Sequence, residues 1–212
     1  MFRRGAVALT LSMLLLTGCL TGERPYFNDE PFPIGAMTGN AEVDVVLGRL
    51  DAVTAGPVTA VYNVLTKFGN TTNPAVVIID AGARSVTIGN VRYIDTTSGA
   101  ATCTEDASVP CSDELEPSRV SNIGVTIDFY AAEAATRLRR DFRAAIAPPT
   151  GRTEIFAEQS ATCVDVPLPG GVAVYCVLDN GLVARLDDGD VAVILTLLGA
   201  SVDATRLVLP TG

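Results

Sequence analysis

An α+β fold built on an antiparallel sheet is what this 212-residue chain predicts, and three observations predict it. Apolar segments at Val172 to Leu178, Leu182 to Leu186 and Val191 to Leu198 are separated by Asn180-Gly181 and Asp188-Gly189, dipeptides that accept the positive φ angles of tight hairpin turns. β-Branched runs recur upstream at Ala75 to Ile79 and Val86 to Ile94. Two further stretches place apolar residues three and four apart, the period of a helix with one buried face.

The first predicted helix runs from Ala41 to Val53, with Asn40 as N-cap and Val43, Val46, Leu47, Leu50 and Val53 on one side. Val58 to Phe68 fits either period, and its Thr, Val and Tyr content favours a strand facing inward with Val58, Ala60, Tyr62, Val64 and Phe68. The strands at Ala75 to Ile79 and Val86 to Ile94 are bounded by Gly82 and by the loop Asp95 to Gly99. The second helix is expected from Asp128 to Ala147, stopping before Pro148-Pro149, with Tyr130, Ala131, Ala134, Leu138, Phe142 and Ile146 inward. Glu133 four residues before Arg137 makes a favourable helical pair. Arg139, Arg140 and Arg143 read as a solvated helix end whose charges suit the C-terminal dipole.

The N-terminus carries a different signal. Arg3 and Arg4 precede the apolar run Ala6 to Leu16, too short for a comfortable membrane span but suited to a signal-peptide core, and Leu16-Thr17-Gly18-Cys19 closes it. This order resembles the lipobox of bacterial lipoproteins. The resemblance implies cleavage after residue 18, acylation of Cys19, and an extracytoplasmic protein held to the cell membrane by its lipid. Residues 19–40, with Pro25, Pro31, Pro33, Gly22, Gly35 and Gly39, then read as a flexible tether. Residues 41–212 read as one domain, since no second tether, repeat or low-complexity block interrupts them.

Composition restricts the partners. The chain has 15 basic and 24 acidic residues, a formal net charge of −9, and removal of Arg3 and Arg4 with the signal makes it more acidic still. Such a body does not suit nucleic acid. Anionic headgroups offer it no attraction either, so membrane attachment would rest on the acyl chains.

Apart from Cys19, the cysteines are Cys103, Cys111, Cys163 and Cys176, an even set in a chain sent to an oxidising exterior. Three pairings are open on paper. A hairpin turn centred on Pro169-Gly170 sets Cys163 opposite Cys176 at a non-hydrogen-bonded position, within disulfide reach, which favours the local pairing of Cys163 with Cys176 and Cys103 with Cys111. Zinc is disfavoured because there is neither a CxxC spacing nor any histidine.

Helix, strands, a disulfide-closed loop, a second helix and a cysteine-stapled meander behind a lipobox resemble, in element order, the LolA/LppX-like lipoprotein fold, with Gly181-Leu182-Val183-Ala184-Arg185 as the nearest local echo. The resemblance implies an incomplete barrel or half-barrel packed against two main helices, with acyl chains or lipoproteins carried in the apolar hollow between them. Val77, Ile79, Ile88, Tyr130, Leu138, Phe142 and Val193 are the expected lining for a lipid or other amphipathic ligand. The alternative is a dry core of the same side chains and a tethered interaction module. That module would present the acidic loop Cys103 to Cys111 with Asp113, Glu114 and Glu116 to a protein or cation.

Catalytic chemistry finds no support. Without histidine no Ser-His-Asp or Cys-His arrangement can be built, and the single lysine, Lys67, has no SxxK spacing around it. Glu105-Asp106 and Asp187-Asp188 fall at expected loops and turns, where carboxylates are ordinarily solvated. Asp187-Asp188-Gly189-Asp190 lacks the ligand spacing of a calcium loop and reads as a hairpin turn. No cofactor, metal or enzymatic activity is expected.

Overall fold

The computed structural model describes residues 32–53, 56–106 and 108–210. The signal segment, Cys19 and most of the expected tether lie outside the described residues.

Helix α1 spans Ala41–Leu50 and starts where its cap dictates: Asn40 Oδ1 accepts from the Glu42 and Val43 backbone N–H groups. Val43, Val46, Leu47 and Leu50 are buried, as their spacing predicts, but Val53 lies beyond the helix and is exposed. The residues before the cap, within the range read as tether, are fastened to the helix. Thr38 donates through its backbone and its hydroxyl to Asp44 at 2.7 and 2.8 Å, and the Gly35 N–H donates to Asp51.

Five strands follow in a meander: β1 (Val58–Thr66), β2 (Thr71–Asp80), β3 (Ala83–Ile88), β4 (Val91–Thr96) and β5 (Gly99–Thr104). Val58, Ala60, Tyr62 and Val64 are buried as the alternating reading requires, whereas Phe68 stands past the strand end, 94% exposed. The run read as one strand from Val86 to Ile94 is two. Gly89, at φ +60°, and Asn90 reverse the chain so that Ile88 pairs with Val91. Strand β5 falls partly in the expected loop; its Gly-Ala-Ala-Thr-Cys-Thr sequence carries little β propensity of its own and is held by pairing with β4.

A 3-10 helix (Pro117–Ile123) leads to α2, Ala132–Arg143, shorter than the expected Asp128 to Ala147. Tyr130 and Ala131 are buried but precede the helix in turns, and Ile146 lies after it, exposed, its N–H donating to the Pro167 carbonyl. A second meander completes the chain: β6 (Thr150–Phe156), β7 (Gln159–Leu168), β8 (Gly171–Leu178), β9 (Val183–Asp187) and β10 (Val191–Gly199). The last three are the strands read from the Asn180-Gly181 and Asp188-Gly189 turns.

The two meanders form one ten-stranded antiparallel sheet, β5-β4-β3-β2-β1-β10-β9-β8-β7-β6, because β1 pairs with β10 from Thr59↔Gly199 to Thr66↔Val191, with a bulge at Val61/Tyr62. The sheet does not close, since β5 and β6 are its two ends; this is the open half-barrel of an α+β fold. Helix α1 packs on β6, β7 and β8, and α2 on β7 and β8. The buried residues Val120, Ile123, Val125, Ile127 and Phe129 fill the same core, with Phe129 edge-on to Tyr62 at 5.2 Å. One turn fixes the seat of α1. Gly181 has φ +85°, and a Cβ there would lie 2.6 Å from the Arg49 carbonyl oxygen, so the close approach of α1 to the β8–β9 turn requires glycine.

Both local disulfides are formed, Cys103–Cys111 and Cys163–Cys176. Leu168 closes the hairpin against Gly171, and Cys163 sits directly opposite Cys176 with a Cα separation of 4.0 Å, the short spacing of a non-hydrogen-bonded pair. Replacing Cys163 and Cys176 together by serine is expected to lower the unfolding free energy by about 3 kcal/mol, read from denaturant titration. Peptide mapping without reduction should recover Cys163 joined to Cys176, never to Cys103.

Candidate functional site

Two regions compete for the function: the space between helices and sheet, and the surface around the Cys103–Cys111 loop. In the first, Val77, Ile79, Ile88, Tyr130, Leu138 and Val193 are all buried members of one packed cluster, with Phe142 half-buried against it. Leu138 projects from the middle of α2 and is fully buried, as are Tyr62, Val64, Val164 and Leu182 of the same cluster. Ile88 also borders a cavity of about 440 Å³, which opens at the end of the sheet between the β1–β2 and β3–β4 turns and the 3-10 helix, lined by Thr66, Asn73, Val120 and Ile123. The candidate lining residues thus meet one another.

The polar chemistry of the helix layer is structural. Arg139, expected in solvent, is 3% exposed; it donates to the Ala36 carbonyl at 2.9 Å and to the Asp51 carboxylate. The chain before α1 lies against this part of α2, through the Ala36 carbonyl on Arg139 and the Phe32 ring under Arg143 at 4.9 Å. On the next face Glu133 and Arg137 make the expected pair at 2.6 Å, and Arg137 continues to Asp188 at 2.7 Å. Asp188 is buried, contrary to the solvated turn residue expected, and Asp141 accepts from the buried Tyr175 hydroxyl at 2.6 Å.

Asp188 also confirms the hairpin reading of Asp187-Asp188-Gly189-Asp190. Its Oδ1 accepts from the Asp190 and Val191 N–H groups at 2.8 and 2.9 Å, while Lys67 donates to the Asp188 carbonyl and to Asp187. Burial alone would raise the Asp188 carboxyl, but those two backbone donors and Arg137 outweigh it and hold it below the ordinary carboxylate range. For Tyr175, burial and then the neighbouring Asp141 charge push the phenol well above its usual value, so it remains a neutral donor.

The second region is a groove at the β5 end of the sheet. Thr102 exchanges two backbone hydrogen bonds with Ser112, at 3.0 and 2.9 Å, so the disulfide-closed loop lies along the strand edge. Thr102 Oγ1 donates to the Glu114 carbonyl and accepts from the Glu116 N–H, which extends the attachment. Between this loop, Arg92, Ala100 and the C-terminal Leu209-Pro210 opens a cavity of about 710 Å³. Exposed Asp113 and Glu105 line it, the latter paired with Arg92, and Val109 adds an exposed apolar group. Arg206 holds one wall by donating to Glu105 and to Thr87 Oγ1. The acidic loop was legible in the sequence; Arg92, Arg206 and Leu209 join it only through the fold.

Because the native Asp188 carboxyl titrates below its unfolded value, its contribution is complete above the ordinary aspartate range and is lost as pH falls through the depressed native value. Asp188→Asn is therefore expected to destabilise the protein by about 1–3 kcal/mol at pH 7 and to flatten the stability loss of the wild type below about pH 4. Thermal unfolding across that range measures both.

No protein-family model matches this chain, and no curated protein matches it. Among solved structures it is similar to MucB, at 12% identity and a TM-score of 0.45 over 81% of this chain and 64% of that one. It is also similar to MucB in complex with MucA(peri), at 12% identity and a TM-score of 0.45 over 79% of this chain and 60% of that one. The chain thus spans less than two thirds of the MucB chains it matches.

Proposed function

We propose that this protein is a membrane-tethered, extracytoplasmic interaction module that receives a basic, partly apolar segment of a partner protein in the groove beside the Cys103–Cys111 loop. One observation carries the reading: the side chains expected to line a lipid hollow pack against one another, Ile88 alone of them also bordering the cavity of about 440 Å³ at the sheet end, while a larger cavity of about 710 Å³ opens at the disulfide loop. A groove of that size falls in the range of ligand pockets. Acidic residues at the rim favour a cationic segment, and Val109 and Leu209 supply apolar contact. The disulfide and the Thr102–Ser112 bridge pre-form the loop, which limits the ordering entropy lost on binding.

The tether in this proposal is the acylated Cys19, supported by the order of basic start, apolar core and Leu-Thr-Gly-Cys. Cys19→Ala is expected to leave the precursor uncleaved and without lipid, or release the protein from the membrane. Fractionation with intact-mass measurement decides it, and an alanine variant still processed and wholly membrane-bound removes the anchor.

Binding is tested with fluorescently labelled peptides of matched length and opposite charge, beside a fluorescent fatty acid. The basic peptide is expected to bind with strong salt dependence, and the charge reversal Asp113→Lys in the groove lining should weaken it about tenfold. The fatty acid should not bind, and Leu138→Trp should overpack the core and cost about 1–3 kcal/mol. Saturable fatty-acid binding abolished by Leu138→Trp at unchanged stability would reverse the conclusion in favour of lipid carriage.

A further inference from the structure

The two ends of the open sheet are finished differently. Strand β5 is covered by its own disulfide loop, through the two hydrogen bonds between Thr102 and Ser112. Among the described residues, strand β6 pairs only with β7. Its register with β7 is regular from Thr150↔Asp165 to Phe156↔Gln159, with no bulge, and Thr150–Phe156 contains no proline. Natural edges are usually blunted by such devices.

The register also tells which backbone groups of β6 point away from β7. The 4.0 Å Cα separation of Cys163 and Cys176 marks a non-hydrogen-bonded pair, so the Cys163 N–H and C=O turn away from β8 toward β6, where Arg152 is the partner. Alternation then directs the backbone groups of Arg152 and Glu154 inward to β7, and those of Gly151, Thr153 and Ile155 outward. Ile155 is 73% exposed. Helix α1 reaches this strand at Gly151, where the Glu42 carboxylate occupies the space of the absent side chain.

We propose that β6 is a self-recognition edge on which a second copy of this chain adds its own β6, antiparallel, about a two-fold axis through Thr153. The sequence Thr-Gly-Arg-Thr-Glu-Ile-Phe is self-complementary in that register. Thr153 faces Thr153 of the second copy as a hydrogen-bonded pair, and Gly151 faces Ile155. Arg152 faces Glu154 and Glu154 faces Arg152, both at non-hydrogen-bonded positions, where side chains approach most closely. Arg152 and Glu154 are each about one third exposed and already paired along their own strand, so a second copy converts that contact into a four-charge cluster flanked by Asp165. This complementarity singles out a like chain over an unrelated strand. The interface is isologous, closes at two copies, and lies at the opposite end of the sheet from the disulfide-loop groove, so it does not rest on the function proposed there.

Charge exchange tests it. Full-length Arg152→Glu and Glu154→Arg chains, differently labelled, are followed singly and mixed by sedimentation equilibrium. Each alone places like charges across the axis and is expected to self-associate about tenfold more weakly than wild type. Mixed, they restore opposite pairs and should form the heterodimer at near wild-type strength, which two misfolded chains cannot do. As a second measurement, Thr153→Cys is expected to form an interchain disulfide on mild oxidation, whereas Ser98→Cys, exposed at the β4–β5 turn, should not. A wild type that stays monomeric, singles that associate unchanged, or folded singles that fail to rescue each other would overturn the proposal.

Discussion

The pairing of β1 with β10 is the contact on which the rest of the molecule depends. Each meander is built from hairpins of neighbouring strands and can form locally, but the seam joins residues 58–66 to residues 191–199. Its loop-closure entropy is spent before any seam contact is gained. What repays it lies on the inner face, where Tyr62, Val64, Val193 and Leu195 are buried together and Phe129 closes over Tyr62. Without the seam there would be two small sheets, each too small to bury both its own inner face and a helix. The half-barrel is therefore a consequence of one long-range register.

Charged residues then fix how the helices lie on that sheet. The Asp187–Asp190 turn sits beside the seam and gathers Arg137 from α2, Lys67 from the end of β1, and Arg185 from β9. A second set, Arg139 with Asp51 and the Ala36 carbonyl, ties α2 to the end of α1 and to the chain entering it. Such pairs in low dielectric add little net stability over well-packed apolar residues, but losing one partner leaves the other charge buried and unpaired. They tie α2 at one point to the β9–β10 turn and at another to the end of α1 and the chain before it.

The outer face is treated unequally. The C-terminal 3-10 helix Ala204–Leu207 packs on β3 and β4, Thr59 donates to the Ser201 carbonyl, and Arg206 reaches Thr87. Ile78 and Ile94 are buried beneath this segment's half of the sheet, whereas Ile194 and Leu197 of β10 remain exposed. Among the described residues, one end of the sheet thus has its edge covered by a disulfide loop while β6 at the other pairs with β7 alone, an asymmetry on which the two proposed contact sites rest.

By itself the sequence determined what rests on local chemistry: the Asn40 cap, the inward stripe of α1, the Asn180-Gly181 and Asp188-Gly189 turns, and the hairpin that sets Cys163 opposite Cys176. Each depends on residues a few positions apart, whose spacing encodes a backbone geometry directly. Tertiary structure alone decided β5 and β6, whose residues have weak or mixed strand preference and are held by their neighbours. It also shortened α2. The split of Val86 to Ile94 at Gly89-Asn90 is different, for that dipeptide is itself a local two-residue hairpin signal, masked because β-branched residues flank it on both sides. Burial of Arg139 and Asp188 was illegible because a charged side chain goes inside only where a distant residue supplies its counter-charge, and no spacing along the chain records that partner.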